Sequence, residues 1–170
     1  MEFNFDQFAE KLKISLDSFA LEDASNQCDE LLKVLFQSNN SIPLDKAEKV
    51  LQWLRNKRMF SVMVKVADAF QQLGLDSFKI NRQFAQALID SGNYTSAISI
   101  LQNLISTITS KFPIDFHNQP EYIEAMGLLG RLYKQLYVNA KNPSHPQCID
   151  FLQKGISFYY EVYTTKKNIL

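Results

Sequence analysis

The sequence predicts an all-α array of about four helical hairpins, forming one domain over residues 1–170. Three observations carry that prediction. Glycine and proline are scarce, five of each in 170 residues, while Leu, Ala, Gln and Lys recur in runs that favour helix over sheet. Apolar residues repeat at three- and four-residue spacing, and no alternating strand pattern competes with them. A unit of roughly 34 residues can be laid along the chain repeatedly, as expected of stacked helical pairs.

Each unit has its own markers. Near the start, Leu12, Phe19, Leu21, Ala24 and Cys28 make the first and weakest one. Residues 43–70, "PLDKAEKVLQWLRNKRMFSVMVKVADAF", make the second on Val50, Trp53, Met59, Val62 and Val66. Pro43 sits where a first helical residue is expected, a position that suits proline because the N–H it lacks has no partner there. In the third unit Phe84-Ala85 and Leu88 mark the first helix. Gly92, Tyr94, Ala97 and Leu101 of "GNYTSAISIL" then carry the spacing of the turn and second helix of a tetratricopeptide unit. Its small residues let antiparallel helices approach closely. Residues 124–162 make the fourth on Leu129-Gly130, Tyr133, Cys148 and Leu152. Comparable positions 24, 62, 97 and 148 lie 38, 35 and 51 apart, so insertions enlarge the unit, chiefly "SKFPIDFHNQP" and "NAKNPSHP". The expected fold is thus a tetratricopeptide-like α-solenoid.

Composition excludes several functions. Lys plus Arg equals Asp plus Glu, at 18 each, so no global field draws the protein to nucleic acid or an anionic membrane. Any anion site must be a local cluster. No segment approaches the roughly 20 apolar residues of a membrane span. The start "MEFNFDQFAEKLK" lacks the basic and apolar regions of a signal peptide. A cytoplasmic protein is expected. Cys28 and Cys148, without metal-type spacing, read as half-buried thiols in a reducing compartment. "NNS" and "NYT" match the glycosylation pattern by chance.

Catalytic and metal-binding constellations are missing. No glycine-rich phosphate loop, His-Glu-x-x-His or paired-Cys zinc spacing occurs. Both histidines, His117 and His145, fall in expected loops. A Cys148–His145 pair would span three residues across a proline, with no third group to orient it. Glu22-Asp23 and Asp29-Glu30 read as helix-start charges and solvated faces. The expectation is a non-enzyme with no cofactor and no metal.

Residues 82–94, "RQFAQALIDSGNY", raise a different matter. Positions four apart on an α-helix drift by about 40°, so Arg82, Gln86 and Asp90 form a polar strip, with Lys79 at its edge. Ile80, Phe84, Ala87 and Leu88 take the other side, leaving the strip free for contact. In helical-repeat arrays the first helix of each unit lines the concave face. The register puts Lys13 and Asp17 there from the first unit, and Leu51, Leu54 and Arg55 from the second. The third adds Ile89 to the strip; the fourth offers Glu124, Gly127, Arg131, Lys134 and Gln135. Arg55, Arg82, Gln86, Arg131, Lys134 and Gln135 are the candidate ligand-binding residues. Guanidinium forks match phosphate oxygens, and amides can read a base or ribose edge. Gly127 would let a ligand approach the backbone. The chemistry fits a small anionic, nucleotide-like molecule. Two other readings are a solvated face tied by Arg82–Asp90-type ion pairs, and a groove for a peptide or partner helix.

"RQFAQALIDSGNYTSAISIL" followed by "EAMGLLGRLYKQLYVNA" resembles the TPR-S family, tetratricopeptide-repeat sensor domains of bacterial conflict proteins. The "GLLGRLYK" region also resembles the helical regulatory, TRAF-binding segment beside the kinase domain of apoptosis-signal-regulating kinases. "LRNKRMFSVMVKVADAFQQLG" fits the sensor family too, so the likeness covers roughly residues 43–163. The resemblance implies a sensor module in antiviral defence or stress signalling, coupled to a separate effector, often a caspase-like or trypsin-like protease. It also implies a nucleotide-derived signal as ligand. Arg82, Gln86, Arg131, Lys134 and Gln135 match the family's polar motif positions. The sequence departs from the family pattern in showing no effector domain, which leaves open a whole protein, a fragment or a subunit acting with a partner chain. It also ends at "YTTKKNIL", where the family continues through a Gly-Ile-Asn segment into a final helix.

Aromatic residues pose a last choice. "ISFYYEVY" places Phe158, Tyr159, Tyr160 and Tyr163 in the last expected helix. In a closed array most of them are core. A terminal helix without a capping partner instead exposes one apolar side, open to self-association or to docking on an effector. Phe3, Phe5 and Phe8 pose the same choice at the other end.

Overall fold

The structure, a computed structural model, describes residues 3–37 and 42–167. Among the described residues there are eight α-helices, one 3₁₀ turn and no strand. In order they are α1 (Phe5–Asp17), α2 (Leu21–Gln37), α3 (Leu44–Asn56), α4 (Phe60–Gln72), α5 (Phe78–Asp90) and α6 (Tyr94–Lys111). The 3₁₀ turn (Phe116–Asn118), α7 (Pro120–Val138) and α8 (Pro146–Lys167) follow. The all-α class holds, with helices following one another in pairs. No described helix is long and apolar enough to cross a membrane. By its internal contacts the chain divides into two compact units, Met1–Ser91 and Gly92–Leu170.

In the first unit, side chains start two helices. Asn4 Oδ1 accepts from the N–H groups of Asp6 and Gln7 at 3.0 and 3.1 Å, and Ser77 Oγ accepts from that of Ile80 at 3.1 Å. Such caps satisfy donors that the helix itself leaves unpaired. Pro43 lies one residue earlier than expected, as the N-cap of α3, with ψ at 144°. Its carbonyl accepts from Lys46 and Ala47. Helix α1 packs on α2 and α3 on α4, while α1, α3 and α5 are neighbours on one side and α2 and α4 on the other. This is the two-layer order of stacked helical pairs. Leu12, Cys28, Met63, Phe70 and Ile80 are fully buried in it.

That packing corrects part of the inward face read from the sequence. Leu51 and Leu54 are core residues without exposure, and Ile89 is buried as well. Because α3 touches α1, α4 and α5, the sides of α3 that carry Leu51 and Leu54 are covered. Lys13 instead lies over the Trp53 ring at 4.8 Å, and Asp17 pairs with Lys57 at 3.2 Å.

The turns reuse one device. After α1, Phe19 (φ 57°) donates to the Leu16 carbonyl and Ala20 to that of Ser15. After α3, Arg58 (φ 56°) donates to Arg55 and Met59 to Leu54; after α4, Gly74 (φ 74°) donates to Gln71 and Leu75 to Phe70. Each is a Schellman closure with a left-handed residue after the helix end. Gly92 (φ 80°) is left-handed after α5 too.

In the second unit α7 packs on both α6 and α8. A Cβ built on Gly155 would stand 3.3 Å from the Lys134 backbone nitrogen, and one on Gly130 3.1 Å from the Tyr159 ring. These two glycines therefore set how closely α7 and α8 approach. The Tyr133 ring stacks on Phe158, centroids 5.7 Å apart. The Tyr122 hydroxyl donates to Glu161; burial, then this carboxylate, pushes the phenol pKa above its usual range. The stretch "SKFPIDFHNQP" closes α6, forms the 3₁₀ turn and supplies Pro120 as first residue of α7, and "NAKNPSHP" links α7 to α8.

The closed-array reading of the last aromatics is corrected. Phe158 is half-buried, but Tyr159, Tyr160 and Tyr163 are exposed. Phe3, Phe5 and Phe8 are half-buried. Both cysteines are free thiols; Cys148 is half-buried as expected, whereas Cys28 is fully buried. Burial, reinforced by Asp29, pushes the Cys28 thiol up to about 12. "NNS" lies outside the described residues.

Candidate functional site

The polar side of α5 begins at its cap. Besides accepting from Ile80, the Ser77 hydroxyl donates to Glu48 Oε1 of α3 at 2.8 Å. The other carboxylate oxygen of Glu48 pairs with Lys79 at 3.3 Å, and the Glu48 backbone carbonyl accepts from Gln83 Nε2 at 3.3 Å. Two turns further along α3, Arg55 reaches Gln86. With its amide oxygen turned towards the guanidinium, Gln86 accepts from Arg55 Nε at 3.1 Å and Nη2 at 3.3 Å. A polar seam therefore runs the length of the α3–α5 contact.

This seam differs from a free strip. Arg82, Gln83 and Gln86 are 9, 2 and 7 % exposed, and only Asp90 at the helix end is open to solvent. Lys79 is turned to Glu48. Of the candidate ligand-binding residues in this unit, Arg55 and Gln86 are hydrogen-bonded to each other, and Arg82 lies one turn before Gln86 on the same helix. Arg82 is itself engaged within the protein, so an incoming anion must compete for it. Gln83 Oε1 is buried with no partner among the described residues, which for a neutral acceptor costs about 1–3 kcal/mol.

On α7 of the second unit, Gly127, Arg131 and Lys134 follow at four- and three-residue intervals and share one side of the helix. Arg131 is half-buried and engaged within the protein, while Lys134 and Gln135 are exposed. Gln135 Nε2 donates to Asn139 Oδ1 at 2.8 Å. Gly127 has a distinct character: a Cβ added there meets nothing within 4 Å. Unlike Gly130 and Gly155, it has no packing reason to lack a side chain, and a glycine inside a helix costs about 1 kcal/mol relative to alanine.

Other chemistry is sparse. No group of three or more His, Cys, Asp or Glu among the described residues could hold a metal ion. His145 Nδ1 accepts from the Gln147 N–H at 3.3 Å, and the His145 carbonyl accepts from the Cys148 N–H. These contacts build the start of α8.

Sequence reasoning missed Glu48, Ser77 and Gln83. The available signal was a second stripe, Glu48 and Arg55 two turns apart on α3, complementary to Lys79, Gln83 and Gln86 on α5.

No curated protein and no solved structure matches the chain. Residues 59–168 match the family model TPR-S, Tetratricopeptide Repeats-Sensor. The match begins after α3, so it takes in Arg82, Gln86, Arg131, Lys134 and Gln135 but leaves Arg55 outside. It covers well over half of a chain whose described helices follow one another in the expected pairs, and on that ground the protein belongs to the TPR-S family.

Proposed function

We propose that the protein is a non-enzymatic sensor, binding a small anionic, nucleotide-derived signal through its polar helix faces and thereby controlling a partner effector. Gly127 carries this reading. A helix interior keeps a destabilising glycine with open space before it, on the same face as Arg131 and Lys134. A bare backbone flanked by a guanidinium and an ammonium suits a phosphate-bearing ligand. Gln135 joins this set within the second unit, and in the first unit Arg55, Arg82 and Gln86 make a second proposed ligand-binding face on the α3–α5 seam. The ligand acts by favouring one of two arrangements of the helices, and only by as much as its affinities for them differ. The effector in this proposal is a separate protein, with a caspase-like or trypsin-like protease as the first candidate, and the setting is cytoplasmic antiviral or stress signalling.

A thermal-shift screen against cyclic and ADP-ribose-derived nucleotides tests the reading. At least one should raise the unfolding temperature, and Arg82→Ala, Arg131→Ala or Lys134→Ala should each remove that rise while helical circular dichroism is retained. A screen without any nucleotide response would reject it.

A second reading, a protein–protein adaptor without a small ligand, is favoured by α8. Ile149, Ile156, Tyr160 and Tyr163 are 42, 60, 67 and 64 % exposed and fall on one side of that helix. Such an apolar stripe suits self-association or an effector surface. Copurification of a partner that is lost on Ile156→Asp and Tyr160→Asp, with no nucleotide response, would favour it.

A further inference from the structure

A groove of about 370 Å³ lies between the start of α1 and α2, within the first unit and away from the α3–α5 seam. Its volume falls in the roughly 300–1,000 Å³ range of small-molecule sites. The Phe3 and Phe8 rings, centroids 6.1 Å apart, and the buried Leu31 supply apolar walls. Gln27 also lines it: its Nε2 donates to Ser15 Oγ at 2.9 Å, while its buried Oε1 has no partner among the described residues. The remaining polar lining includes one charge of each sign, Lys11 on α1 and Glu30 on α2, both exposed. Among the described residues no ion pair engages either of them.

An apolar cleft rimmed by one unpaired charge of each sign asks for a ligand with a matching set. That ligand has an apolar body, an ammonium and a carboxylate. We propose that this groove binds a free α-amino acid with a large apolar side chain. The side chain lies against Phe3 and Phe8, the ammonium faces Glu30, and the carboxylate faces Lys11. None of the residues assigned to the nucleotide signal takes part, so this site stands or falls separately from the sensor reading.

Calorimetric titration of the full chain with L-phenylalanine, N-acetyl-L-phenylalanine and L-phenylalanine amide tests it. L-phenylalanine should bind saturably, and removing either charge should weaken binding at least tenfold. Glu30→Gln should abolish the preference over the N-acetyl form, and Lys11→Gln the preference over the amide. Both positions are exposed, so the thermal unfolding of the variants should match that of the parent. The proposal is overturned by no saturable heat at millimolar L-phenylalanine, or by a charge preference that survives both substitutions.

Discussion

Three hairpin turns use a left-handed residue, and two of the three are not glycine: Phe19, Arg58 and Gly92 have φ of 57°, 56° and 80°. A left-handed L-residue costs about 1–2 kcal/mol, partly offset by the larger unfolded-state entropy of glycine. Arg58→Gly should therefore stabilise the protein by about 0.5–1 kcal/mol, and Gly92→Ala should destabilise it by about 1 kcal/mol, both read from urea midpoints. A Cβ at Gly92 meets nothing, so that loss is backbone strain alone. The same turns explain what could be read in advance. Gly92 announces its turn, which made the third unit the clearest, while Phe19 and Arg58 carry no such signal, which left the first unit faint. The cysteines differ as sharply. Cys148 should react with a thiol reagent in the native state and Cys28 only as fast as the protein unfolds. The Cys28 pKa is raised from 9.0 to about 12. Its contribution to stability is therefore complete below pH 9 and declines as pH rises towards 12, because the unfolded chain loses that proton first. Base-induced unfolding followed by circular dichroism should show this decline.

Among the elements, α5 and α7 hold most of the interest. Helix α5 was expected to pack with one stripe and leave the other open. Instead it is buried almost throughout, because its polar stripe meets the complementary one on α3. Each stripe was legible in the sequence, but their pairing was not, since it depends on the register of two helices that no local pattern fixes. Leu51 and Leu54 were misplaced for the same reason. The loops fared better: both insertions, rich in proline and polar residues, fall between helices as their composition demands. At the α7–α8 contact, Gly155→Ala should cost about 1–2 kcal/mol net, because the added methyl meets the Lys134 backbone, which cannot rotate away as a side chain could. This strain outweighs the roughly 1 kcal/mol the helix gains on losing a glycine. Tyr122→Phe should cost about 1.5–3 kcal/mol through the lost charge-assisted hydrogen bond to Glu161. It should also lessen the alkaline instability: a folded phenol held above its unfolded pKa contributes stability below about pH 10 and loses it as pH rises further. Urea titrations of both variants at pH 7 and pH 10.5 check these values.

At the scale of the molecule, balanced charge means that recognition must be local. The polar residues that could provide it sit on first helices of the expected hairpins, α3, α5 and α7. The TPR-S match spans α5 and α7, and the sensor proposal turns on Gly127, whose missing side chain nothing in the described packing requires. The most direct measurement is a calorimetric titration of ADP-ribose-derived and cyclic nucleotides into the parent protein and into Gly127→Ala. The account predicts an unliganded variant about 1 kcal/mol more stable than the parent, with nucleotide affinity reduced at least tenfold. Equal affinity in the two proteins, or no binding to either, would contradict it.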